Sequence, residues 1–245
     1  MARSGQLLAG VALALSIGGG AACSGETDPG ADHDAPATVP TSSAGSAAAP
    51  TMDEVARHLQ ETLEVYDGIA TGAIVLARVG ERTRVLTLGL ADVNRHQRIK
   101  PDDRFPIQSI TKPMVATVVL QLVADRKLAL DDTVEDVLPG LLPQGARITI
   151  RHLLSHRAGL HDATDEDLPP LARTTQDTLI DIAAHHPLEF APGSSGRYSN
   201  IGYEVLGRVV ERVTRQPLAG ALAQNVFGPA GMSDSALLGS PDVRG

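Results

Sequence analysis

The sequence has few of the residues that build disulfide-linked or aromatic-rich proteins. Its 245 residues include no tryptophan, three phenylalanines and three tyrosines, and Cys23 is the single cysteine. A lone cysteine cannot form an intramolecular disulfide, so a disulfide-linked scaffold is excluded. The core must therefore be built from leucine, valine, isoleucine and alanine, and the length allows one or two ordinary globular domains.

Positive charge is also scarce. The formal net charge is −8, and the sequence contains no cluster of lysine and arginine and no alternation of basic with aromatic residues. Nucleic acids are bound through such basic surfaces, so we expect no nucleic-acid partner.

The apolar run near the N-terminus is too short to cross a bilayer as a stable helix. It spans residues 7–17, follows Arg3 and leads through small residues to Ala21-Ala22-Cys23. This order is typical of a secretory signal peptide. The match to a bacterial lipoprotein processing site predicts that residues 1–23 are the signal and that Cys23 is lipidated. The alternative is a plain secretory signal cleaved near Ala22.

Residues 24–50 contain almost no large apolar side chain. Such a segment cannot bury enough surface to offset the cost of ordering it, which predicts a flexible linker before a folded domain at residues 51–245. With the signal, this places the protein in the secreted fraction or at the outer face of the cytoplasmic membrane, held there by a lipid anchor.

Capping and periodicity predict the order of elements in the domain. A capping box at Thr51-Met52-Asp53-Glu54 starts a helix that ends near Gly68, and two apolar, β-branched runs around Gly80-Glu81 form a hairpin. A polar excursion then precedes a buried helix. The predicted ranges are 70–78 and 85–90 for the hairpin, 92–108 for the excursion, and 109–125, 149–159, 176–185, 202–214 and 217–231 for the helical segments.

Two histidines four residues apart, His152 and His156, have a spacing that can ligate zinc. The metalloprotease glutamate is absent from their surroundings, and no third ligand is evident. We therefore interpret them as structural and expect no metal. The pairs His161-Asp162 and His185-His186 are interpreted as loop or surface residues, and residues 161–176 as a loop over the site.

The most informative feature is Ser109-Ile110-Thr111-Lys112, followed about ninety residues later by Tyr198-Ser199-Asn200. A serine hydroxyl needs a nearby group to take its proton, and a lysine three residues on lies one helical turn away. A tyrosine can act as a second base, and an asparagine can hold the lysine and the substrate. The alternative is a surface Ser and Lys at the start of an ordinary amphipathic helix.

With these motifs the chain resembles the serine β-lactamase and penicillin-binding-protein superfamily, in the branch of class C β-lactamases, D-Ala-D-Ala carboxypeptidases and related esterases. The resemblance covers roughly residues 52–240. Further matching stretches are Leu128-Ala129-Leu130-Asp131-Asp132, Ile148-Thr149-Ile150-Arg151-His152-Leu153-Leu154-Ser155-His156 up to Gly159-Leu160, Pro192-Gly193, Ile201-Gly202-Tyr203 and Gly228-Pro229-Ala230-Gly231-Met232-Ser233-Asp234.

The resemblance implies an α/β (α+β) β-lactamase/transpeptidase-like fold, with an antiparallel sheet flanked by helices and an all-helical subdomain. It implies that Ser109 is the nucleophile, that Lys112 and Tyr198 share its proton with either able to be the base, and that Asn200 and Gln108 bind substrate. It implies no cofactor.

One motif of the superfamily is missing from the sequence. A Lys or His, then Thr or Ser, then Gly, lies on a strand that lines the site in the superfamily, and no such tripeptide follows Asn200. We therefore expect that the C-terminal strands of the sheet are absent, that the chain is truncated, and that on its own it is poorly folded or inactive.

Three functions remain open at this point. The first is a serine hydrolase acting on β-lactams or peptidoglycan peptides of the D-Ala-D-Ala type. The second is an esterase or amidase with the same machinery and small-molecule substrates. The third is a non-catalytic envelope lipoprotein that keeps the fold for binding.

Overall fold

The computed structural model describes residues 51–65, 70–164, 167 and 175–237, together with the backbone of Val11–Ser16. Cys23, the predicted linker at residues 24–50 and most of the predicted signal peptide lie outside the described residues. The chain divides into two compact units, Met1–Phe105 and Pro106–Gly245.

The described residues of the first unit form a four-stranded sheet and one helix. The strands stand in the order β1-β2-β3-β4. The elements are β1 (Val11–Ser16), α1 (Met52–Val65), β2 (Gly72–Val79), β3 (Arg82–Asp92) and β4 (Gln97–Arg98).

The predicted hairpin is present as β2 and β3, which pair antiparallel up to Val79 and Arg82 on either side of Gly80-Glu81. Two features were not predicted. The polar excursion contributes β4, which pairs antiparallel to β3, and β1 pairs parallel to β2. The strand β1 falls within the apolar run assigned to the signal peptide, because apolar residues suit a strand as well as a leader.

The helix α1 begins as predicted, with a reciprocal capping box. The Thr51 backbone N–H donates to the Glu54 carboxylate at 2.8 Å, and the Glu54 N–H donates to Thr51 Oγ1 at 3.3 Å. The buried residues Leu63, Ala73 and Val75 form a small core in this unit.

The second unit is helical. Its described elements are a 3₁₀ turn (Gln108–Ile110), α2 (Thr111–Ala124), α3 (Val134–Val137), a 3₁₀ turn (Gly145–Arg147), α4 (Ile150–Leu154), α5 (Gln176–His185), α6 (Ile201–Thr214), α7 (Leu218–Leu222) and one π-helical segment (Ala223–Phe227).

The helix α6 is the centre of this unit and packs against α2, α3, α4, α5 and α7. Its apolar side chains recur at helical spacing, and those of Val205, Leu206, Val209 and Val210 are fully buried. Burying an aliphatic side chain of this size contributes about 1.5–3 kcal/mol, so this helix is a major source of stability. The core is aliphatic, as the composition predicts.

Two helix boundaries differ from the prediction. The helix predicted at 149–159 ends at Leu154, because His156 has a left-handed backbone with φ 58° that an α-helix cannot continue. The helix predicted to begin at Ser109 begins at Thr111, and Ser109 itself lies in the preceding 3₁₀ turn.

The structure therefore combines an antiparallel hairpin sheet with a helical unit, as predicted. Within the part of the chain that is described, no helix has the length and apolar character needed to span a bilayer.

Candidate active site

The hydroxyl of Ser109 is exposed at the start of α2. The residue before it, Gln108, has φ 49°, in the left-handed region that non-glycine residues rarely adopt. This conformation costs about 1–2 kcal/mol, and such strain is typical of positions where the backbone presents a reacting group. The site residue is thus delivered by a sharp turn at a helix N-terminus, where the dipole favours negative charge.

Lys112 lies one turn beyond Ser109 and links two chain segments. Its Nζ donates to Ser109 Oγ at 3.2 Å and to Asn200 Oδ1 at 2.7 Å. Because an amide oxygen only accepts hydrogen bonds, Asn200 holds the lysine as a donor that points at the serine. The predicted tether between these two residues is therefore observed.

Tyr198 completes the group around the serine hydroxyl. Its OH donates to Ser109 Oγ at 2.5 Å, and Lys112 Nζ lies 4.8 Å from the centre of its ring. The hydrogen bond from Lys112, followed by that with Ser109, lowers the pKa of Tyr198 below its usual value. Two groups able to exchange a proton, the amine of Lys112 and the phenol of Tyr198, thus converge on the hydroxyl oxygen of Ser109.

Asp162 fixes the turn that carries Tyr198 and Asn200. One carboxylate oxygen accepts from Ser199 Oγ at 2.8 Å and from the Ile201 N–H at 3.0 Å, and the other accepts from the Asn200 N–H at 2.8 Å. These N–H groups belong to the start of α6, so Asp162 caps that helix from a distant segment. The sequence interpretation, which took Asp162 for a loop or surface residue, missed this role.

His156 supports the same turn from the other side. Its Nδ1 accepts from the Ser199 N–H at 3.2 Å, and its ring contacts those of Tyr198 and Tyr203, with centroids 4.8 and 5.2 Å away. Burial, and then the charge of Lys112, lowers the pKa of His156, which keeps the ring neutral and able to accept.

The histidine pair that suggested a zinc site does not share a ligand position. His152 Nδ1 accepts from the Thr149 N–H at 3.3 Å and so completes the cap of α4, while His156 serves the Ser199 turn. Backbone hydrogen bonds then join the segment after α4 to residues 189–197, from the Arg197 N–H to the His156 carbonyl among others. This pairing delivers Tyr198 to the site.

A cavity of about 810 Å³ opens beside the serine. Gln108, Ser109, Lys112 and Asn200 line it, and so does Glu204, whose pKa is raised by burial. The predicted substrate-binding position of Gln108 is therefore adjacent to the nucleophile. Its role stays a prediction.

The structure brings together Ser109, Lys112, Tyr198 and Asn200, which the sequence predicted as one site. Cys23 lies outside the described residues. Asp162 and His156 were missed as site residues because each acts on a turn about forty residues away, which no local pattern indicates.

The sequence comparisons agree with this geometry. The family profile described as Beta-lactamase matches residues 52–244. The esterase EstB of Burkholderia gladioli is 37% identical over 71% of this chain and 48% of its own length. Penicillin-binding protein 4* of Bacillus subtilis is 30% identical over 73% of this chain and 41% of its own length. The chain spans about half the length of these curated relatives.

Solved structures share the fold over a similar extent. A D-stereospecific amidohydrolase from Streptomyces sp. is 32% identical with a TM-score of 0.62, covering 70% of this chain and 53% of its own. A penicillin binding protein from Bacillus halodurans is 30% identical with a TM-score of 0.64, covering 77% and 58%. The β-lactamase and penicillin-binding-protein fold predicted from the sequence is confirmed.

Proposed function

Because this chain belongs to the beta-lactamase family, we propose that it is a hydrolase that forms an acyl-enzyme on Ser109. The observation that carries the proposal is the convergence of Tyr198 OH, at 2.5 Å, and Lys112 Nζ, at 3.2 Å, on Ser109 Oγ. Both distances are short enough for a base to take the proton of the serine hydroxyl.

Tyr198 is the better candidate for the base. Lys112 Nζ is held by Asn200 Oδ1, and the hydrogen bond from Lys112, followed by that with Ser109, lowers the pKa of Tyr198 and so favours its phenolate. The phenolate then takes the proton of Ser109, and Oγ forms a bond to the carbonyl carbon of the substrate. The proton passes from Tyr198 to the leaving group as the scissile bond breaks.

The remaining steps use the same groups. The backbone N–H of Ser109 can donate to the oxyanion, and one such donor contributes about 3 kcal/mol in the transition state. Tyr198 then takes a proton from water, whose oxygen bonds to the ester carbon. The bond from that carbon to Ser109 Oγ breaks, the acid leaves, and the proton passes from Tyr198 back to Oγ. Asn200 holds Lys112 in place and presents its amide to the substrate.

The substrate is proposed to be a small ester or amide, including the amide bonds of β-lactams and D-Ala-D-Ala peptides. The relatives support this range, since they are named as an esterase, an amidohydrolase and penicillin-binding proteins. Parallel assays with p-nitrophenyl butyrate, a D-amino acid amide and nitrocefin separate the three classes. The highest kcat/KM identifies the preferred one.

Intact mass spectrometry after treatment with a fluorophosphonate and with a fluorescent penicillin tests the proposal. We expect one adduct per chain, lost in Ser109→Ala and kept in Ser155→Ala. The control serine also lies at a helix end, where its Oγ donates to the Arg151 carbonyl outside the site. An adduct that persists in Ser109→Ala would remove the serine from its role. No adduct with either reagent would support the non-catalytic binding protein instead.

We also propose that the protein is secreted and anchored by a lipid on Cys23. The supporting observation is the order of charged, apolar and small residues that ends at Ala21-Ala22-Cys23. Incorporation of labelled fatty acid that is lost in Cys23→Ala is the expected result. Release of unlabelled protein from cells would favour the plain secretory signal.

A further inference from the structure

A second cluster of chemically active side chains lies outside the serine site. The ligand-type atoms of His161, Asp167 and His186 all lie within 4.8 Å of one another. Glu189 adjoins them, with Oε1 at 3.5 Å from His161 Nδ1. His161 and Asp167 are half-buried and His186 is exposed, so solvent can reach the group.

The hydrogen bond of His186 Nδ1 to a carbonyl leaves the other ring nitrogen, Nε2, facing a carboxylate. Its Nδ1 is 2.8 Å from the Ile182 carbonyl oxygen, which can only accept, so Nδ1 carries the hydrogen. In the neutral ring Nε2 then has a lone pair, and it lies 3.5 Å from Asp167 Oδ1. A lone pair facing a carboxylate is unfavourable unless a cation lies between them.

The ring of His161 lies between two carboxylates. Its Nδ1 faces Glu189 Oε1, while its Nε2 lies 3.1 Å from Asp167 Oδ2. Its ring stacks on that of His186 with centroids 4.2 Å apart. A single divalent cation placed among these atoms would be bound by the Nε2 lone pairs of both rings and by the carboxylate of Asp167.

We propose that His161 Nε2, His186 Nε2 and the carboxylate of Asp167 bind a divalent transition metal of the zinc type. Two ligands on a tetrahedral zinc stand about 3.4 Å apart, given bond lengths of about 2.1 Å. His161 Nε2 lies 3.1 Å from Asp167 Oδ2 and His186 Nε2 lies 3.5 Å from Asp167 Oδ1, and the ligand atoms of the three residues all lie within 4.8 Å of one another. A fourth position is left for water.

The partners behind the ligands also suit a metal. In metal sites the second nitrogen of a histidine ligand is usually held by a carbonyl or a carboxylate. Here the Ile182 carbonyl holds His186, and Glu189 holds His161. The backbone N–H and the Oγ1 of Thr164 both donate to Asp167 Oδ2 at 2.7 Å, which fixes the orientation of that carboxylate.

The metal would brace two segments that lead into the serine site. His161 immediately precedes Asp162, which holds the start of α6, and Glu189 also pairs with Arg197 at 2.5 Å, next to Tyr198. The metal is therefore structural. This inference departs from the sequence-based expectation of no metal, and it stands independently of the proposed hydrolase activity.

Zinc titration of the metal-stripped chain against a chromophoric chelator tests the proposal. We expect one zinc ion bound in the cluster per chain, and at least a 10-fold loss of affinity in His186→Ala and in Asp167→Asn. His185→Ala is the matched control, because His185 is the neighbouring histidine and is 74% exposed, paired only with Asp181 among the described residues. Its affinity should equal that of the wild type.

Cobalt substitution provides a readout that does not depend on affinity or activity. A visible absorption band typical of tetrahedral cobalt should appear in the wild type and in His185→Ala and vanish in Asp167→Asn. Far-UV circular dichroism identifies any variant that is unfolded, and Asp167→Asn serves if His186→Ala does not fold. Absence of stoichiometric binding, or equal binding by wild type, His186→Ala and Asp167→Asn, would overturn the proposal and leave the cluster charged by protons alone.

Discussion

The phenol of Tyr198 and the amine of Lys112 both contact the hydroxyl oxygen of Ser109, at different distances. Tyr198 OH is 2.5 Å from Ser109 Oγ and Lys112 Nζ is 3.2 Å away. The hydrogen bond from Lys112, followed by that with Ser109, lowers the pKa of Tyr198. In the proposed mechanism the lysine therefore acts through the tyrosine.

The acylation rate should rise with pH as Tyr198 loses its proton, which gives the pH–rate profile a rising limb. The phenol must lose its proton to act as a base, and its pKa lies below the ordinary value of 10.0. Lys112→Met removes the group that lowers the pKa of Tyr198, so this pKa should rise and the rising limb of the profile should move to higher pH. The acylation rate at neutral pH should then be lower by roughly 10²–10⁴-fold. Second-order acylation rates between about pH 6 and about pH 10 measure the shift.

A matched lysine provides the control for that profile. Lys127 pairs with Asp125 at 3.0 Å on the surface, and Lys127→Met should leave the limb where it is. An unmoved limb in Lys112→Met would show that the tyrosine is not the group that titrates.

Removing the charge of Asp162 should slow acylation without removing any reacting group. In Asp162→Asn one acceptor oxygen becomes a donor facing the N–H groups at the start of α6. The free energy of unfolding should fall by about 1–3 kcal/mol, and the acylation rate by roughly 100-fold, because Tyr198 and Asn200 lose their position. Asp131→Asn, at a carboxylate that is 80% exposed, is the control. Equal rates in the two variants would contradict a positioning role.

The sequence predicts the part of the site that is local. Ser109 and Lys112 are one turn apart, and Tyr198 and Asn200 flank one residue, so each pair is visible as a short motif. The contacts of Asp162 and His156 depend on how separate segments meet. Such contacts follow from tertiary packing and leave no periodic signal in the chain.

At the scale of elements, the start of α4 was predicted correctly and its end was not. Thr149 caps the helix as predicted, with His152 in the position where a glutamate usually completes the box. Gly159 is an ordinary helix stop, and so the sequence placed the end there. The left-handed backbone of His156 ends the helix earlier, because its carbonyl and side chain are needed to hold Arg197 and Ser199.

The residue at position 159 cannot carry a side chain. Gly159 has φ 75°, and a Cβ there would meet the Phe190 carbonyl oxygen well inside contact distance. Gly159→Ala should therefore cost more than about 3 kcal/mol of unfolding free energy, through a steric clash added to backbone strain of about 1–2 kcal/mol. Urea denaturation followed by circular dichroism measures this cost.

Gly140 is the matched control for that substitution. It has φ 76° but no atom within 4 Å of an added Cβ, so Gly140→Ala should show the strain alone. Equal losses of unfolding free energy in Gly159→Ala and Gly140→Ala would mean that Phe190 moves away from the added Cβ at no cost.

At the scale of the molecule, the two units differ in the size of their cores. The helical unit buries a continuous aliphatic core that includes Val119, Leu153 and Val209, all with no exposed surface. Among the described residues of the sheet unit, the buried core cluster consists of Leu63, Ala73 and Val75. Stability should be distributed in the same way, since protection against opening follows buried apolar contacts.

Amide hydrogen exchange should resolve this difference. Amides in the middle of α6, such as that of Val209, should exchange slowest, and those of β3 should exchange faster, because no residue of β3 is buried. Mass spectrometry of peptic peptides provides the measurement. Uniform protection of the amides in both units would contradict the assignment of stability to the helical core. A separate measurement, thermal unfolding, tests the expectation that the chain is poorly folded, which a cooperative transition would contradict.

The order of the elements was largely predictable, because capping residues and apolar spacing mark helices and hairpins locally. The pairing of β1 was not, since the same apolar residues satisfy the pattern of a leader peptide. The position of β4 also escaped prediction: two polar, exposed residues form a strand only through the backbone bonds that β3 offers.

The scarcity of aromatic residues gives the tyrosines at the serine site an unusual spectroscopic value. No indole absorbs in this chain, and it contains only three phenols. Tyr198 and Tyr203 have pKa values shifted in opposite directions, the first lowered chiefly by Lys112 and the second raised by burial. Ultraviolet difference spectra recorded during an alkaline titration can therefore report ionisation of Tyr198 directly, ahead of its neighbour and without a label, substrate or turnover.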